Sequence, residues 1–455
     1  MSTSINREHW SSSSSFALAA IGGAVGLANL WRFPYTAGTS GGGAFVLTYI
    51  AALLLLALPV LVAEMLIGRR GQASPPKALA SLAKEAGASV HWRILGFAGV
   101  GTAIVVLSFY SVVGGLTLAY SVQSAAGLLD TSSLAAVQAI YSDIVSDPVA
   151  LTGWFTVFLG GTIAISMRGI TNGIERATGI LLPILFVMLV GMTIYAAVVG
   201  DFGAAARFLF VPDFSLVTGA MILEAFGQAF FTLGVGMTAM IAYGAYMTPK
   251  MSIQRTALIV VSADTIVALL AGLAIFPILF AVGADPSGGP GLAFISLPLT
   301  FADMPGGRLF GTVFFLLLFF AAITSAVSIL EITASWVADK TRWPRKKVAV
   351  TSGCFSWFLG LLSVLSFNIF ADIRPLDFIP AVSDKNFFDL FDYIASNVMM
   401  PLGGACIAIF TGWVLSAKTV STEMGVTGQV LWFRAWRFLL RYFVPVVMLA
   451  LFIAK

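Results

Sequence analysis

Two apolar stretches of the chain contain residues that are suited to binding ions. The first, AIGGAVGLANLWRFPY at 20–35, holds three glycines in five positions, followed by an asparagine and an arginine. The second, FFTLGVGMT at 230–238, has two glycines shortly after a threonine. Glycine makes helix unwinding sterically cheap, and an unwound turn exposes carbonyls for a hard cation and N–H groups for a carboxylate. Two such breaks facing each other predict a site for a zwitterion together with cations.

Close packing between helices is the competing interpretation of the glycines. Gly22 and Gly26 form a GxxxG pattern, which usually lets two membrane helices approach each other. Polar residues near the breaks favour a functional site instead, because a charged residue at membrane depth costs about 3 kcal/mol or more. These polar residues are Asn29, Arg32, Gln228, Thr232 and Asp264.

The elements that carry these residues are membrane-spanning helices. The chain has 455 residues, of which 59% are hydrophobic and 10% are charged, whereas soluble domains carry about 25% charged residues. Apolar stretches long enough to cross a hydrocarbon core of about 30 Å recur along the whole chain. We therefore predict an all-α polytopic membrane protein with eleven spans, near 14–38, 42–70, 93–126, 150–167, 174–198, 215–247, 252–282, 306–338, 347–368, 386–416 and 432–453.

The positions of the two breaks predict an internal repeat. They fall in spans 1 and 6, so five spans separate corresponding features, and a repeat of five spans reverses orientation in the membrane. We expect inverted repeats at about 14–198 and 215–416, which form a transporter core at 14–416. Residues 1–13 are predicted to be a cytoplasmic N-terminal segment, and 417–455 a cytoplasmic linker followed by the eleventh span.

The distribution of basic residues predicts the orientation. Most of the 25 Lys and Arg residues lie in segments on the side of the N-terminus, and such residues favour the cytoplasmic side. The N-terminus is thus expected inside and the C-terminus outside. No Asn-x-Ser/Thr sequon occurs, which fits a bacterial inner membrane. Cys354 and Cys406 both lie in apolar stretches, so no disulfide is predicted.

Five motifs resemble those of the neurotransmitter:sodium symporter family, whose members have the leucine-transporter fold. The resemblance extends from residue 5 to about 416. It implies a sodium-coupled symporter for amino acids, in the eleven-span bacterial branch. The motifs are REHW at 7–10, GGAVGLANLWRFPY at 22–35, GGGAF at 41–45, GQAFFTL at 227–233 and FFAAITSAVS at 319–328.

The resemblance implies two sodium sites and no organic cofactor. Their ligands are hard oxygen donors, which suit an alkali cation and not a soft transition metal. Taken alone, the hydroxyls of Thr324 and Ser325 would be expected to donate hydrogen bonds to carbonyls of their own helix. Site one maps to Ala24, Asn29, Thr232 and Asp264, and site two to Gly22, Val25, Ala321, Thr324 and Ser325.

The family's substrate pocket maps to a mainly apolar set of residues. Position 24 is alanine, where monoamine carriers have an acidic residue, so a free amino acid fits better than an amine. Met237 adapts to varied shapes, and we expect a hydrophobic or aromatic L-amino acid. The predicted substrate-binding residues are Ala24, Gly26, Val106, Tyr110, Phe231, Thr232, Gly234, Met237, Ser325 and Ile329.

Position 264 differs from chloride-dependent members of the family. They have asparagine there and serine four residues later, whereas this chain has Asp264 and Ala268. The spacing places both residues on one helix face. A fixed carboxylate supplies the charge that chloride supplies elsewhere, so transport is expected to be independent of chloride. Asp264 is also a candidate proton carrier on the return step, and a purely structural role is the alternative.

The resemblance implies a gate on each side of the membrane, as alternating access requires. Outside, Arg32 is expected to pair with Asp392, near Gln228 and under the lid residues Tyr110 and Phe231. Inside, Arg7 is expected to pair with Asp339, supported by Trp10 and Tyr246. No site role is assigned to Glu64, Glu224 and Glu331, and a structural role is expected for each.

Other functions fit the sequence less well. A proton-coupled amino-acid permease of the same architecture is the nearest alternative, and a non-transporting membrane receptor or a membrane-embedded enzyme is a more distant one. Only His9 and His91 are present, and no HExxH motif occurs. Expected partners are an amino-acid substrate, sodium ions and the lipid bilayer, with no nucleic acid, in a monomer or weak homodimer.

Overall fold

The computed structural model describes residues 8–286 and 292–453. Helices and their connections account for these residues, and no strand occurs in either range. Nine continuous helices in the described ranges are long and apolar enough to cross a membrane. They are Gly43–Gly71 (span 2), Val90–Ala125 (span 3), Pro148–Ser166 (span 4), Ile170–Val199 (span 5), Ile253–Ala281 (span 7), Gly307–Thr341 (span 8), Arg345–Leu365 (span 9), Phe387–Val414 (span 10) and Leu431–Phe452 (span 11).

Span 1 is broken where the sequence predicts it. Helices Ser13–Ala24 and Ala28–Thr39 meet at an angle of 50°. The Ser12 side chain caps the first helix by accepting a hydrogen bond from the backbone N–H of Ser15. Val25 then takes an extended conformation, which ends the helix.

Span 6 is broken as well. Helix Gly219–Leu233 has 15 residues, too few to cross the hydrocarbon core alone, and helix Ala239–Gly244 follows it. Between them Gly234 and Gly236 have φ values of +60° and +92°, a region that favours glycine. Thr238 also has a positive φ, of +67°, so the predicted interruption is a tight left-handed turn.

The break in span 6 packs directly on the backbone of span 10. A Cβ atom added to Gly236 would lie 2.0 Å from the carbonyl oxygen of Met400. One added to Gly403 would lie 2.2 Å from the carbonyl oxygen of Gly236, and one on Gly404 would lie 2.4 Å from the Phe230 ring. Glycines on both sides therefore allow backbone-to-backbone contact at this point.

Burial distinguishes the centre of the bundle from its periphery. In spans 3 and 8, 83% and 78% of the most apolar window is buried, against 28% in spans 5 and 11. Spans 3 and 8 therefore lie at the centre, against the broken spans, and spans 5 and 11 face outward. Within the described ranges, five shorter α-helices connect the spans: Pro75–Glu85, Leu134–Ser146, Phe202–Phe210, Ser296–Ala302 and Ala417–Met424. Cys354 and Cys406 are free thiols.

Candidate sodium and substrate site

A buried carboxylate lies beside both breaks. Asp264 of span 7 is fully buried, and its Oδ1 accepts hydrogen bonds from Asn29 Nδ2 and the Thr232 hydroxyl, each at 2.8 Å. Its Oδ2 accepts a hydrogen bond from the Tyr49 hydroxyl at 2.9 Å. Three of the four residues predicted for sodium site one are thus in direct contact.

The hydrogen-bond partners of this carboxylate are all neutral. Burying a charge is costly unless it is paired, so a buried Asp264 carboxylate favours a positive ion close by. Oxygen atoms of Asp264 and Thr232 are the hard donors that an alkali or alkaline-earth cation prefers. Within the described ranges, no group of three or more His, Cys, Asp and Glu side chains could hold a metal ion. The arrangement therefore fits a sodium ion better than a transition metal.

Asn29 connects the break in span 1 to span 7. Its amide oxygen accepts a hydrogen bond from the Gly26 N–H at 3.1 Å, and its amide nitrogen also donates to the Asp264 carbonyl at 3.2 Å. The oxygen predicted as a sodium ligand therefore shapes the unwound turn as well. Ala24, the fourth predicted ligand of site one, ends the first half of span 1.

The residues predicted for sodium site two meet between spans 1 and 8. The Ser325 hydroxyl donates to the carbonyls of Gly22 and Val25, at 3.1 and 3.2 Å. Thr324 donates to its own helix at the Ala321 carbonyl, at 3.0 Å, which is the bond expected of an isolated helical threonine. Ser325 thus joins the span 1 carbonyls to span 8, whereas Thr324 follows the structural alternative.

All ten predicted substrate-binding residues line one cavity. Gly23, Leu27, Ala28 and Met400 complete its wall, and the cavity has a volume of about 30 Å³. The Tyr110 hydroxyl accepts a hydrogen bond from the Leu27 N–H at 3.4 Å, so it lies against the unwound turn. Ligand sites usually measure about 300–1,000 Å³. The lining elements must therefore move apart to admit an amino acid.

A second cavity lies next to the first and shares Tyr110 and Phe231 with it. It has a volume of about 60 Å³ and is also lined by Arg32 and Asp392. The Arg32 guanidinium lies over the Phe231 ring, 4.6 Å from its centroid. Arginine, tyrosine and phenylalanine therefore separate the substrate cavity from this outer cavity.

The ion-pair partner of Arg32 differs from the prediction. Arg32 Nη2 lies 3.7 Å from Glu224 Oε1, whereas the Asp392 carboxylate accepts a hydrogen bond from the Ser396 hydroxyl at 2.9 Å. Glu224 precedes Gln228 by four residues on span 6, so both project from one face. Gln228 Nε2 donates to the Ala28 carbonyl at 2.8 Å, which holds that face against span 1. The fold thus brings Glu224, and not Asp392, into ion-pair distance of Arg32.

Aromatic residues join the N-terminal segment to span 6 on the side of the substrate cavity opposite to Arg32. Trp10 Nε1 donates to the Tyr243 carbonyl at 3.1 Å, and the Tyr246 hydroxyl donates to Glu331 at 2.6 Å. Glu331 also forms an ion pair with Arg345 of span 9. The Asp339 carboxylate accepts a hydrogen bond from the Ser74 N–H at 2.7 Å. Arg7, its predicted partner, lies outside the described residues.

Two residues of the site, Tyr49 and Glu64, were not predicted from the sequence. Tyr49 completes the Asp264 cluster from span 2. Glu64 is fully buried and accepts hydrogen bonds from the N–H groups of Gly236 and Met240, at 2.8 and 3.0 Å. It therefore holds the unwound part of span 6. A lone carboxylate in an apolar span was the available signal, but the sequence did not show which N–H groups it would meet.

Replacing Glu64 by glutamine is expected to lower the free energy of unfolding by about 1–3 kcal/mol, because one buried N–H would face an amide donor instead of an acceptor. Thermal unfolding followed by tryptophan fluorescence measures this change. Glu85→Gln is the control, since Glu85 forms a partly exposed ion pair with Arg70, worth about 0–1 kcal/mol. Equal midpoints for the two variants would contradict the role given to Glu64.

Broken first and sixth spans around a buried site define the class of the protein. This is the arrangement of secondary transporters built from inverted repeats. The sodium:neurotransmitter symporter family matches residues 7–134 and 140–455. The chain belongs to this family.

Similar proteins and a similar solved structure agree with this family assignment. The chain is 38% identical to an uncharacterized sodium-dependent transporter of Bacillus subtilis, over 98% of this chain and 96% of the relative. It is 27% identical to the sodium-dependent nutrient amino acid transporter 1 of Drosophila melanogaster, over 79% of this chain and 66% of the relative. The crystal structure of MhsT in complex with L-phenylalanine matches with a TM-score of 0.90 and 38% identity, covering 99% of this chain and 100% of that one.

Family membership settles the class of activity. The protein is a sodium-dependent symporter in a multi-pass membrane fold, and it is not an enzyme. The predicted family and the predicted all-α fold are confirmed. This class differs from a non-transporting receptor, from a membrane-embedded enzyme and from a permease coupled to protons alone.

Proposed function

We propose that this symporter imports a hydrophobic or aromatic L-amino acid by alternating access, together with two sodium ions and without chloride. The observation that carries the proposal is the contact between two features. An apolar cavity and a buried carboxylate cluster share Thr232, and the cavity also touches both helix breaks. Substrate and cation would therefore lie side by side.

The lining of the cavity supports the substrate class. It contains no Asp, Glu, Lys or Arg side chain, and Val106, Phe231, Met237 and Ile329 supply an apolar wall. The substrate carboxylate would meet N–H groups of the span 1 break, the Tyr110 hydroxyl and the sodium ion in site one. Its amino group would meet carbonyls of the two breaks. The related MhsT structure contains L-phenylalanine, which agrees with this class.

The two sodium sites remain proposals at the residues given above. In site one, Asp264, Thr232, Asn29 and the Ala24 carbonyl would surround the ion, and the substrate carboxylate would complete the shell. In site two, the ion would replace the Ser325 hydroxyl as the partner of the span 1 carbonyls. Rotation of that hydroxyl, and of the Thr324 hydroxyl, then makes both oxygens available as ligands.

Gating follows from the ion pairs and aromatic contacts on the two sides of the cavity. On the outer side, Arg32 would be released from Glu224 as the cavity opens, and Asp392 lies in the same outer cavity as an alternative partner. On the inner side, Trp10 would leave Tyr243. We propose an inner-membrane location with the N-terminus inside and the C-terminus outside, and a monomer or weak homodimer.

Uptake by the purified protein in proteoliposomes tests the substrate class. Twenty radiolabelled amino acids are compared with sodium and with potassium in the external buffer. We expect accumulation of phenylalanine, leucine and similar side chains, and only with sodium. Preference for a charged or a very small amino acid would contradict the proposed substrate.

Chloride replacement tests the role of Asp264 as the fixed negative charge. With gluconate in place of chloride on both sides of the vesicle membrane, the initial rate of sodium-driven uptake is expected to stay within about twofold. A fixed carboxylate needs no mobile anion, and Ala268, one turn away, offers chloride no hydroxyl. A collapse of uptake in gluconate would overturn this part of the proposal.

A further inference from the structure

A basic cavity opens between the ends of spans 3 and 8, away from the substrate site. It has a volume of about 400 Å³, and the short helix Pro75–Glu85 forms its third wall. Three cations line it, one from each element: Lys77, Arg93 and Lys340. The cavity lies at the start of span 3 and the end of span 8, on the side expected to be cytoplasmic.

The charges of the cavity do not balance. Asp339 is the one carboxylate among its lining residues, so the four charged side chains carry a net charge of +2. Within the described part of the chain, none of the three cations forms an ion pair. Lys340 instead lies over the Trp336 ring, 5.5 Å from its centroid. Three exposed cations at one cavity favour an anionic ligand.

The same cavity has an exposed apolar margin. Phe97 lines the cavity, is 44% exposed and forms an edge-to-face pair with Trp336. Ile94, one residue beyond Arg93, is 61% exposed. A soluble anion makes no use of such a surface, whereas the acyl chain of a lipid does. The margin therefore indicates a ligand with both a negative head and an apolar tail.

We propose that this cavity binds the headgroup of an anionic phospholipid from the cytoplasmic leaflet, such as phosphatidylglycerol. The phosphate lies among Lys77, Arg93 and Lys340, and an acyl chain extends over Phe97 and Ile94. Attraction between basic residues and anionic lipids acts at this depth of the membrane. Because Asp339 shares the cavity, the lipid reaches the region predicted to form the inner gate.

Native mass spectrometry of the full-length protein tests the proposal. Phosphatidylglycerol or phosphatidylcholine is added to the detergent-solubilised protein, and the retained lipid is counted. We expect preferential retention of phosphatidylglycerol. The triple variant Lys77→Gln, Arg93→Gln, Lys340→Gln should weaken it by on the order of a hundredfold, and Lys77→Gln alone by about fivefold.

A matched triple variant separates this site from general surface charge. Lys84→Gln, Lys250→Gln, Arg255→Gln removes three other exposed cations from the predicted cytoplasmic side and should retain the lipid as the wild type does. Equal loss in both triples would overturn the proposal, as would equal retention of phosphatidylcholine. Displacement by inorganic phosphate would show a site for free anions instead. If the first triple fails to fold, Lys77→Gln decides, because Lys77 is exposed on a helix outside the spans.

Discussion

Asp264→Asn is expected to weaken the sodium dependence of substrate binding by at least about a hundredfold in sodium affinity, while the protein stays folded. The amide keeps the shape of the side chain, and its single oxygen can still accept hydrogen bonds, but it removes the negative charge of the cluster. Losing one partner of a buried charge pair costs about 3–5 kcal/mol, roughly a hundredfold to several thousandfold in sodium affinity. Sodium titration of radiolabelled substrate binding in detergent measures the loss, using the best substrate of the uptake panel.

Asp372→Asn provides the matched control, because Asp372 is exposed and far along the chain from the breaks. It should bind sodium and substrate as the wild type does. Size-exclusion profiles of both variants check that the fold is intact. If Asp264→Asn kept the sodium affinity of the wild type, the carboxylate would have only a structural role.

Gly26→Ala is expected to reduce substrate affinity at least tenfold. The added methyl group would lie 2.5 Å from the Ser325 hydroxyl oxygen and 2.9 Å from that of Tyr110, so both must shift. Overpacking of this kind typically costs about 1–3 kcal/mol. Here it also displaces the hydroxyl that joins spans 1 and 8 at Gly22 and Val25. Equilibrium binding of the same radiolabelled substrate at saturating sodium measures the effect.

Gly160→Ala tests whether the effect is specific to the break. An added methyl group at Gly160 in span 4 meets nothing within 4 Å, so binding and thermal stability should both stay near the wild-type values. A Gly26→Ala protein that binds normally would show that the turn has more room than its contacts indicate. The close approach of span 1 to span 8 would then not be a requirement of the site.

The sequence predicted the fold well because its main signals are strong in a membrane. Uninterrupted apolar stretches define the spans, and only glycine-rich interruptions such as those at Gly22–Gly26 and Gly234–Gly236 predict breaks in them. The short helices Leu134–Ser146 and Phe202–Phe210 were not predicted. They are too short to give the hydropathy signal of a membrane span.

Only the part of the candidate site that lies in recognisable family motifs could be predicted from the sequence. Asn29, Thr232 and Asp264 were grouped by the family resemblance, and the structure brings them together. The contact of Tyr49 with Asp264 depends on how span 2 is rotated, which the sequence does not specify. Arg32 pairs with Glu224 and not with Asp392 because of small differences in the placement of spans 1, 6 and 10, which the sequence does not specify.

The glycine contact between spans 6 and 10 limits which sequences can form this site. Gly236, Gly403 and Gly404 do not line the substrate cavity, yet a single methyl group at any of them would meet a neighbour at 2.0–2.4 Å. The break in span 6 thus packs against span 10 with no room for a side chain at these positions. Attempts to change substrate preference should therefore target Met237 or Ile329, which line the cavity, and leave these three glycines as they are.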